Sequence, residues 1–165
     1  MNVVNDFDWR TGEARITPRL IESLYTEAML LADEARTYFD GASRQERELL
    51  KPFVRVGFAC ESLKVTTRIM HIVAWLLTQR AVESGEISAV GAGRAERRLG
   101  HAADSDPAVI EQLPAAAQRL VRASTELFAR IQRIDEDSIT TAPVSSPARA
   151  LMGRLERNLQ SQWQS

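Results

Sequence analysis

The chain has 165 residues, a length that suits one domain with its own core and leaves little room for a second. Its 21 Lys and Arg residues nearly balance its 22 Asp and Glu residues, so the formal net charge of -1 creates no overall field that would attract nucleic acid or an anionic membrane. A lone cysteine, Cys60, excludes an intramolecular disulfide and is typical of a reducing cytoplasm. We therefore expect a cytoplasmic protein that contacts neither nucleic acid nor membranes.

Residues 1–16 show no sustained apolar period, and we expect them to form an N-terminal arm. Phe7 and Trp9 would either pin this arm to the body of the protein, which is the interpretation we favour, or serve as an aromatic hook for a partner.

The first helix is predicted to begin at Thr17 and Pro18, because a Thr hydroxyl can accept a hydrogen bond from a free amide and proline needs no N–H in the first turn. It is predicted to end near Asp40, with Gly41 in the left-handed conformation. Its apolar stripe, in steps of three and four residues, consists of Leu20, Leu24, Ala28, Leu31, Ala35 and Tyr38.

The second helix is predicted to open with a capping box, in which Ser43 and Glu46 satisfy each other's backbone amides. Pro52 removes a hydrogen bond inside this helix, so we expect a kink or short break near Leu50. Beyond the break, a long helix should run until Gly85 ends it.

This long helix, from about Phe53 to Val82, is the centre of the predicted fold and carries apolar residues on two sides. Two apolar stripes require two sets of neighbours. One of the two stripes should complete a core with the other helices, and the other should remain for a second chain or a client. The first stripe is Val56, Cys60, Leu63, Thr67, Met70, Ala74 and Leu77, and the second is Val54, Phe58, Val65, Ile69, Ile72 and Leu76.

Residues 86–106 contain three glycines and little apolar periodicity, so we expect a long, flexible connection with one or two helical turns. Arg94, Arg97 and Arg98 form a local basic cluster within it. Such a cluster is usually exposed to solvent without a binding role, and the more specific alternative is a docking site for an acidic partner.

A third helix is predicted to open either at Ser105 to Pro107 or at Pro114 and to end near Asp135. Its apolar positions have the steps of a coiled-coil seam: Ile110, Leu113, Ala117, Leu120, Ser124, Leu127, Ile131 and Ile134. The predicted organisation is thus an N-terminal arm at 1–16, an all-α, up-down three-helix bundle at 17–135, and a flexible tail at 136–165.

The tail contains one amphipathic pattern, with Leu151, Leu155 and Leu159 on one side of a possible short helix. A short helix in isolation is marginal in water. It would therefore either dock onto this bundle or fold upon a partner.

We find no catalytic or metal-binding constellation in the sequence. Cys60 and His71 lie about 16 Å apart along one helix, too far to act together. We expect Cys60 to be a small core residue and His71 to be a core or interface histidine. The prediction is a protein without cofactor or enzymatic activity.

The remaining candidate is a surface. Trp75 either caps the core, or forms the centre of a protein interface, where tryptophan is enriched. We place a homodimer or partner contact on this side of the helix, at Arg68, Ile72, Trp75, Leu76 and Gln79.

Residues 55–88, together with residues 24–40, resemble the RcdA family, the bacterial regulators of CtrA degradation. The resemblance covers roughly Leu24 to Leu99, and the third helix in pattern. It implies a dimeric three-helix bundle with a mobile C-terminal tail. It also implies a non-enzymatic adaptor that binds the ClpXP protease through a response-regulator partner and delivers cell-cycle substrates. A dimeric helical scaffold without a proteolytic role is the alternative.

Overall fold

A computed structural model of the protein describes residues 16–140, and all regular structure within that range is helical. The all-α class and the long central helix are thereby confirmed. The helices are α1 (Pro18–Thr37), α2 (Arg44–Leu49), α3 (Pro52–Glu83), α4 (Ala89–Ala92), α5 (Pro107–Ile110) and α6 (Ala115–Thr140), with a π-helical turn at Tyr38–Ala42 and a 3-10 turn at Ala95–Arg97. Residues 1–15 and 141–165 lie outside the described range, and with them Phe7, Trp9, Leu151, Leu155 and Leu159.

The start of α1 is the predicted one, but its end is different. The Thr17 hydroxyl accepts a hydrogen bond from the backbone N–H of Leu20 at 3.2 Å, as expected of a helix cap. The α-helix ends at Thr37 and passes into the π-helical turn. Gly41 is not left-handed; among the described residues, Gly85 alone has a positive φ, of 80°.

The predicted capping box at Ser43 does not form. Ser43 continues the helical backbone of the π-helical turn, with φ -78° and ψ -4°, so its hydroxyl donates back to the carbonyl of Phe39 at 3.3 Å. A capping side chain requires an extended backbone at that position. Glu46 instead accepts a hydrogen bond from the Tyr38 hydroxyl at 2.7 Å.

The predicted break before α3 is confirmed. Leu50 is extended, with φ -72° and ψ 145°, and Pro52 takes the first position of α3, where its missing N–H costs no hydrogen bond. The Arg55 guanidinium donates to the carbonyl of Leu50 at 3.2 Å and so ties the break to the first turn of α3. With 32 residues, α3 is about 48 Å long.

The three long helices do not simply alternate in direction. Arg80, near the end of α3, forms an ion pair of 3.7 Å with Glu22, near the start of α1, so these two helices are antiparallel as the up-down order predicts. By contrast α6 runs parallel to α3, because Arg68 meets Ser124 and, further along both helices, Trp75 meets Asp135. The chain between α3 and α6 must therefore return along the length of the bundle.

That return path ends in a segment without helical structure, residues 99–106, which we call the strap. The strap follows α3 in the opposite direction. Its backbone N–H at Leu99 lies 3.4 Å from the carboxylate of Asp135, and its Ser105 hydroxyl bonds to Glu61. The predicted flexible connection is thus attached to the bundle at both ends of the strap.

The core lies where α1, α3 and α6 meet, and the coiled-coil pattern predicted for α6 supplies one wall of it. Asp135, the predicted end of the bundle, is 5% exposed, and α6 continues to Thr140. The most deeply buried large side chains include Leu24, Phe58, Ile72, Trp75, Leu76, Leu120, Leu127 and Ile131.

Candidate interaction surfaces

The inner side of α3 is fully occupied by contacts within the monomer. Trp75 is 1% exposed, and its indole N–H donates to the Asp135 carboxylate at 2.8 Å. The same carboxylate forms an ion pair of 2.7 Å with Arg98. Since both the ring and the polar atom of Trp75 are satisfied inside the fold, nothing of this side chain remains for a partner.

Arg68 is the second polar anchor of the inner side. Its guanidinium donates to the carbonyl of Ala103 at 2.9 Å and to the Ser105 hydroxyl at 2.7 Å. Burial lowers the pKa of Arg68, and the carboxylates of Glu61 and Asp104 partly offset this effect. Arg68 therefore fastens the strap to α3.

This placement corrects the predicted partner surface. Arg68, Ile72, Trp75 and Leu76 are interior residues of the monomer, each no more than 3% exposed. Gln79 is half-buried and lines a groove of about 490 Å³ at the end of the bundle. The interface prediction for Trp75 relied on the enrichment of tryptophan in protein interfaces. In the structure Trp75 is instead held by the buried carboxylate of Asp135, which lies on another helix and 60 residues away in sequence. That contact could not be seen in the sequence.

The basic cluster is likewise engaged within the fold. Arg98 is held by Asp135, and this hydrogen bond raises the pKa of Arg98. Arg97 donates to the carbonyl of Gly91 at 3.2 Å. Two of its three members therefore stabilise the return path.

The opposite side of α3 is the exposed one, and it carries the first of the two predicted stripes. Phe53 is 79% exposed, Leu63 68% and Met70 64%. Cys60, which we expected in the core, is exposed as well. We call this set the outer stripe: Phe53, Val56, Cys60, Leu63, Thr67, Met70, Ala74 and Leu77.

The outer stripe has the geometry of a helix–helix seam. Its members alternate in steps of three and four residues, which is the period of a coiled coil. From Phe53 to Leu77 it extends about 36 Å at 1.5 Å per residue. Monomeric proteins rarely leave a continuous apolar face of this extent in water.

A small apolar socket lies at the Phe53 end of the outer stripe. Its volume is about 190 Å³, and Phe53, Val56, Cys60 and Val109 contribute to its walls. Gly57 of α3 faces α5, and a Cβ added to it would lie 2.9 Å from a methyl group of Val109. The close approach of α5 thus closes one side of the socket, and the outer stripe leads into it.

Other site types have little support within residues 16–140. No group of three or more His, Cys, Asp or Glu side chains there is arranged to hold a metal ion. The buried Nδ1 of His71 has no hydrogen-bond partner, and the ring packs against the backbone of Gly100. None of the described helices is long and apolar enough to span a bilayer.

Comparison with known proteins places this architecture in a family. The crystal structure of RcdA from Caulobacter crescentus CB15 matches with a TM-score of 0.61 and 31% sequence identity, over 76% of this chain and 93% of that one. The chain belongs to the RcdA family. Residues 12–159 also match the family model described as "Protein of unknown function (DUF1465)". No curated protein matches the sequence. The resemblance noted from the RcdA-like residues 24–40 and 55–88 is therefore confirmed.

Proposed function

We propose that this RcdA-family protein is a non-enzymatic adaptor of the bacterial cytoplasm that delivers cell-cycle proteins to the ClpXP protease, with a response regulator as a further partner. The observation that carries the proposal is the outer stripe on a chain with the RcdA fold. An adaptor needs a surface that can be covered and uncovered, and the outer stripe is an apolar face of α3 that the bundle does not cover.

The outer stripe also supports self-association. A seam of period 3.5 fits the equivalent seam of a second helix, and exposed Leu, Met and Phe side chains supply the apolar contacts. Small exposed residues beside the seam, Ala59 and Thr66, leave room for a second helix to approach. We therefore place the homodimer or partner contact on the outer stripe in place of Trp75 and Leu76.

Self-association is tested by sedimentation of two matched variants. Leu63 and Leu30 are both 68% exposed, Leu63 within the outer stripe of α3 and Leu30 on α1. Leu63→Glu should shift the protein to monomer, while Leu30→Glu should sediment as wild type. Equal behaviour of the two variants would exclude the outer stripe as the self-association surface.

The adaptor role is tested by reconstitution with purified ClpXP. Addition of the wild-type protein and its response regulator should accelerate degradation of a CtrA-type substrate. A protein that self-associates and leaves every degradation rate unchanged would instead be a dimeric scaffold.

The sequence beyond α6 is proposed to hold a partner through Leu151, Leu155 and Leu159. Since α6 extends to Thr140, truncation should follow Thr140 and leave the bundle intact. Loss of delivery with unchanged thermal unfolding is the expected result. Delivery of all substrates at the wild-type rate would remove this segment from the mechanism.

A further inference from the structure

A groove runs between the strap and α6. Its volume is about 810 Å³, and every strap residue from Leu99 to Ser105 contributes to its wall. The facing wall comes from α6, including Val121, Phe128 and Ala129. The outer stripe, on the far side of α3, is not part of this groove.

The strap contains no helix, turn or bend, so its backbone follows an extended course along α3. At its start, the backbone N–H of Leu99 bonds to the Asp135 carboxylate that also holds Trp75, and near its end Ser105 bonds to Glu61. Trp75 and Glu61 are about 21 Å apart along α3. Six residue steps of a strand cover about 20 Å, which agrees with this separation.

The backbone of this extended segment is largely unpaired. Between Gly100 and Ser105, the carbonyl of Ala103 bonds to Arg68, and no other backbone N–H or C=O has a hydrogen-bond partner among residues 16–140. Unpaired, extended backbone is a ready template for a second strand, because an added peptide satisfies its donors and acceptors.

The groove beside the strap has the shape for such a peptide. Ala102, Ala103 and Ala129 are small and keep its walls apart, while the half-buried ring of Phe128 provides an apolar contact. The strap itself is fixed by Arg68 and Asp135, so it requires little ordering when a peptide binds.

We propose that this groove binds an extended, unstructured segment of a delivered protein, which pairs as a strand with the strap and places an apolar side chain against Phe128. The inference rests on the proposed adaptor function, for which it supplies a second binding surface separate from the outer stripe. Backbone pairing makes the site tolerant of sequence, and the apolar contact sets its preference.

The test uses a displayed library of random peptides of roughly 12 residues, which is long enough to span the strap with a margin at each end. The library is selected on the immobilised full-length protein, and the enriched peptide is synthesised in plain and N-methylated forms. Ala129→Glu places a charge in the groove, and Ala115→Glu makes the same change at an exposed position of α6 outside it.

The plain peptide should bind wild type and Ala115→Glu equally and bind Ala129→Glu at least about 10-fold more weakly, because the groove must then bury a carboxylate. It should also slow hydrogen exchange between Gly100 and Ser105, and N-methylation should abolish binding. Lack of enrichment, equal binding to Ala129→Glu, or protection of the outer stripe instead of the strap would each overturn the proposal.

The degradation assay separates this inference from the adaptor function. If wild type delivers a substrate and Ala129→Glu delivers it equally fast, the groove proposal fails and the adaptor function stands. If wild type delivers nothing, the adaptor function fails. Slower hydrogen exchange between Gly100 and Ser105 in the presence of the peptide then decides by itself whether the groove binds peptide.

Discussion

Asp135 provides the sharpest test of how the bundle is held together. The residue is 5% exposed, and its carboxylate accepts hydrogen bonds from the Trp75 indole, the Arg98 guanidinium and the Leu99 backbone. These three groups come from α3 and from the return path, so Asp135 joins both of them to α6. Replacement by alanine should loosen them together.

The magnitude follows from what each partner loses in Asp135→Ala. The Trp75 N–H remains buried without an acceptor, at a cost of about 1–3 kcal/mol. The Arg98 side chain is 26% exposed and can recover water, so loss of its ion pair adds only about 1 kcal/mol. A total of about 2–4 kcal/mol is a large part of the 5–15 kcal/mol typical of a domain.

Urea unfolding followed by far-UV circular dichroism measures the effect. Trp75→Phe removes the N–H while retaining an aromatic ring, so a double-mutant cycle with Asp135→Ala should show a coupling of at least about 1 kcal/mol. Asp33→Ala is the control, since Asp33 lies in an exposed ion pair with Arg36 and should contribute less than about 1 kcal/mol. Additive effects of Trp75→Phe and Asp135→Ala, or a stability loss in Asp135→Ala no larger than in Asp33→Ala, would show that Asp135 does not hold Trp75 and the return path in place.

Three further predictions concern the core and the turns. Trp75→Ala should reduce stability by about 3–5 kcal/mol in urea unfolding because it empties a core position, and a selective binding defect in a stable protein would contradict this. Gly100→Ala should lower the free energy of unfolding by about 1–3 kcal/mol, because the new Cβ would lie 2.8 Å from the His71 ring. Thermal unfolding of the double variant Gly100→Ala/His71→Ser should show that most of this stability is restored. Burial and the Glu46 hydrogen bond raise the pKa of Tyr38. The neutral phenol therefore stabilises the folded state fully below pH of about 10, the pKa of tyrosine in the unfolded chain, and this stabilisation should be lost as the pH rises further. Tyr38→Phe should remove this alkaline dependence, and its persistence would point to another group.

The elements that the sequence predicted well are those set by local chemistry. Thr17 begins α1, Pro52 separates α2 from α3, and Gly85 follows α3, because capping and proline geometry depend on neighbouring residues. The coiled-coil spacing of α6 likewise reports its buried side. Local signals failed where one side chain can make two different hydrogen bonds. The Ser43 hydroxyl could cap α2, but it donates to the carbonyl of Phe39 in the π-helical turn instead.

The assignment of the two stripes of α3 could not be made from local chemistry. Both stripes are apolar, and the choice between them depends on Asp135 and Ser105 reaching Trp75 and Arg68 from distant parts of the chain. The parallel course of α6 and the extended strap follow from the same long-range contacts. The sequence therefore predicted that α3 has a spare face, and the structure identifies it as the outer stripe.

We propose that the outer stripe is the recognition surface of an adaptor. The most direct measurement compares Leu63→Glu with Leu30→Glu, equally exposed at 68%, in degradation of a CtrA-type substrate by ClpXP and the response regulator. Leu63→Glu should abolish the acceleration that wild type provides, and Leu30→Glu should retain it. Full acceleration by a folded Leu63→Glu protein would contradict the account.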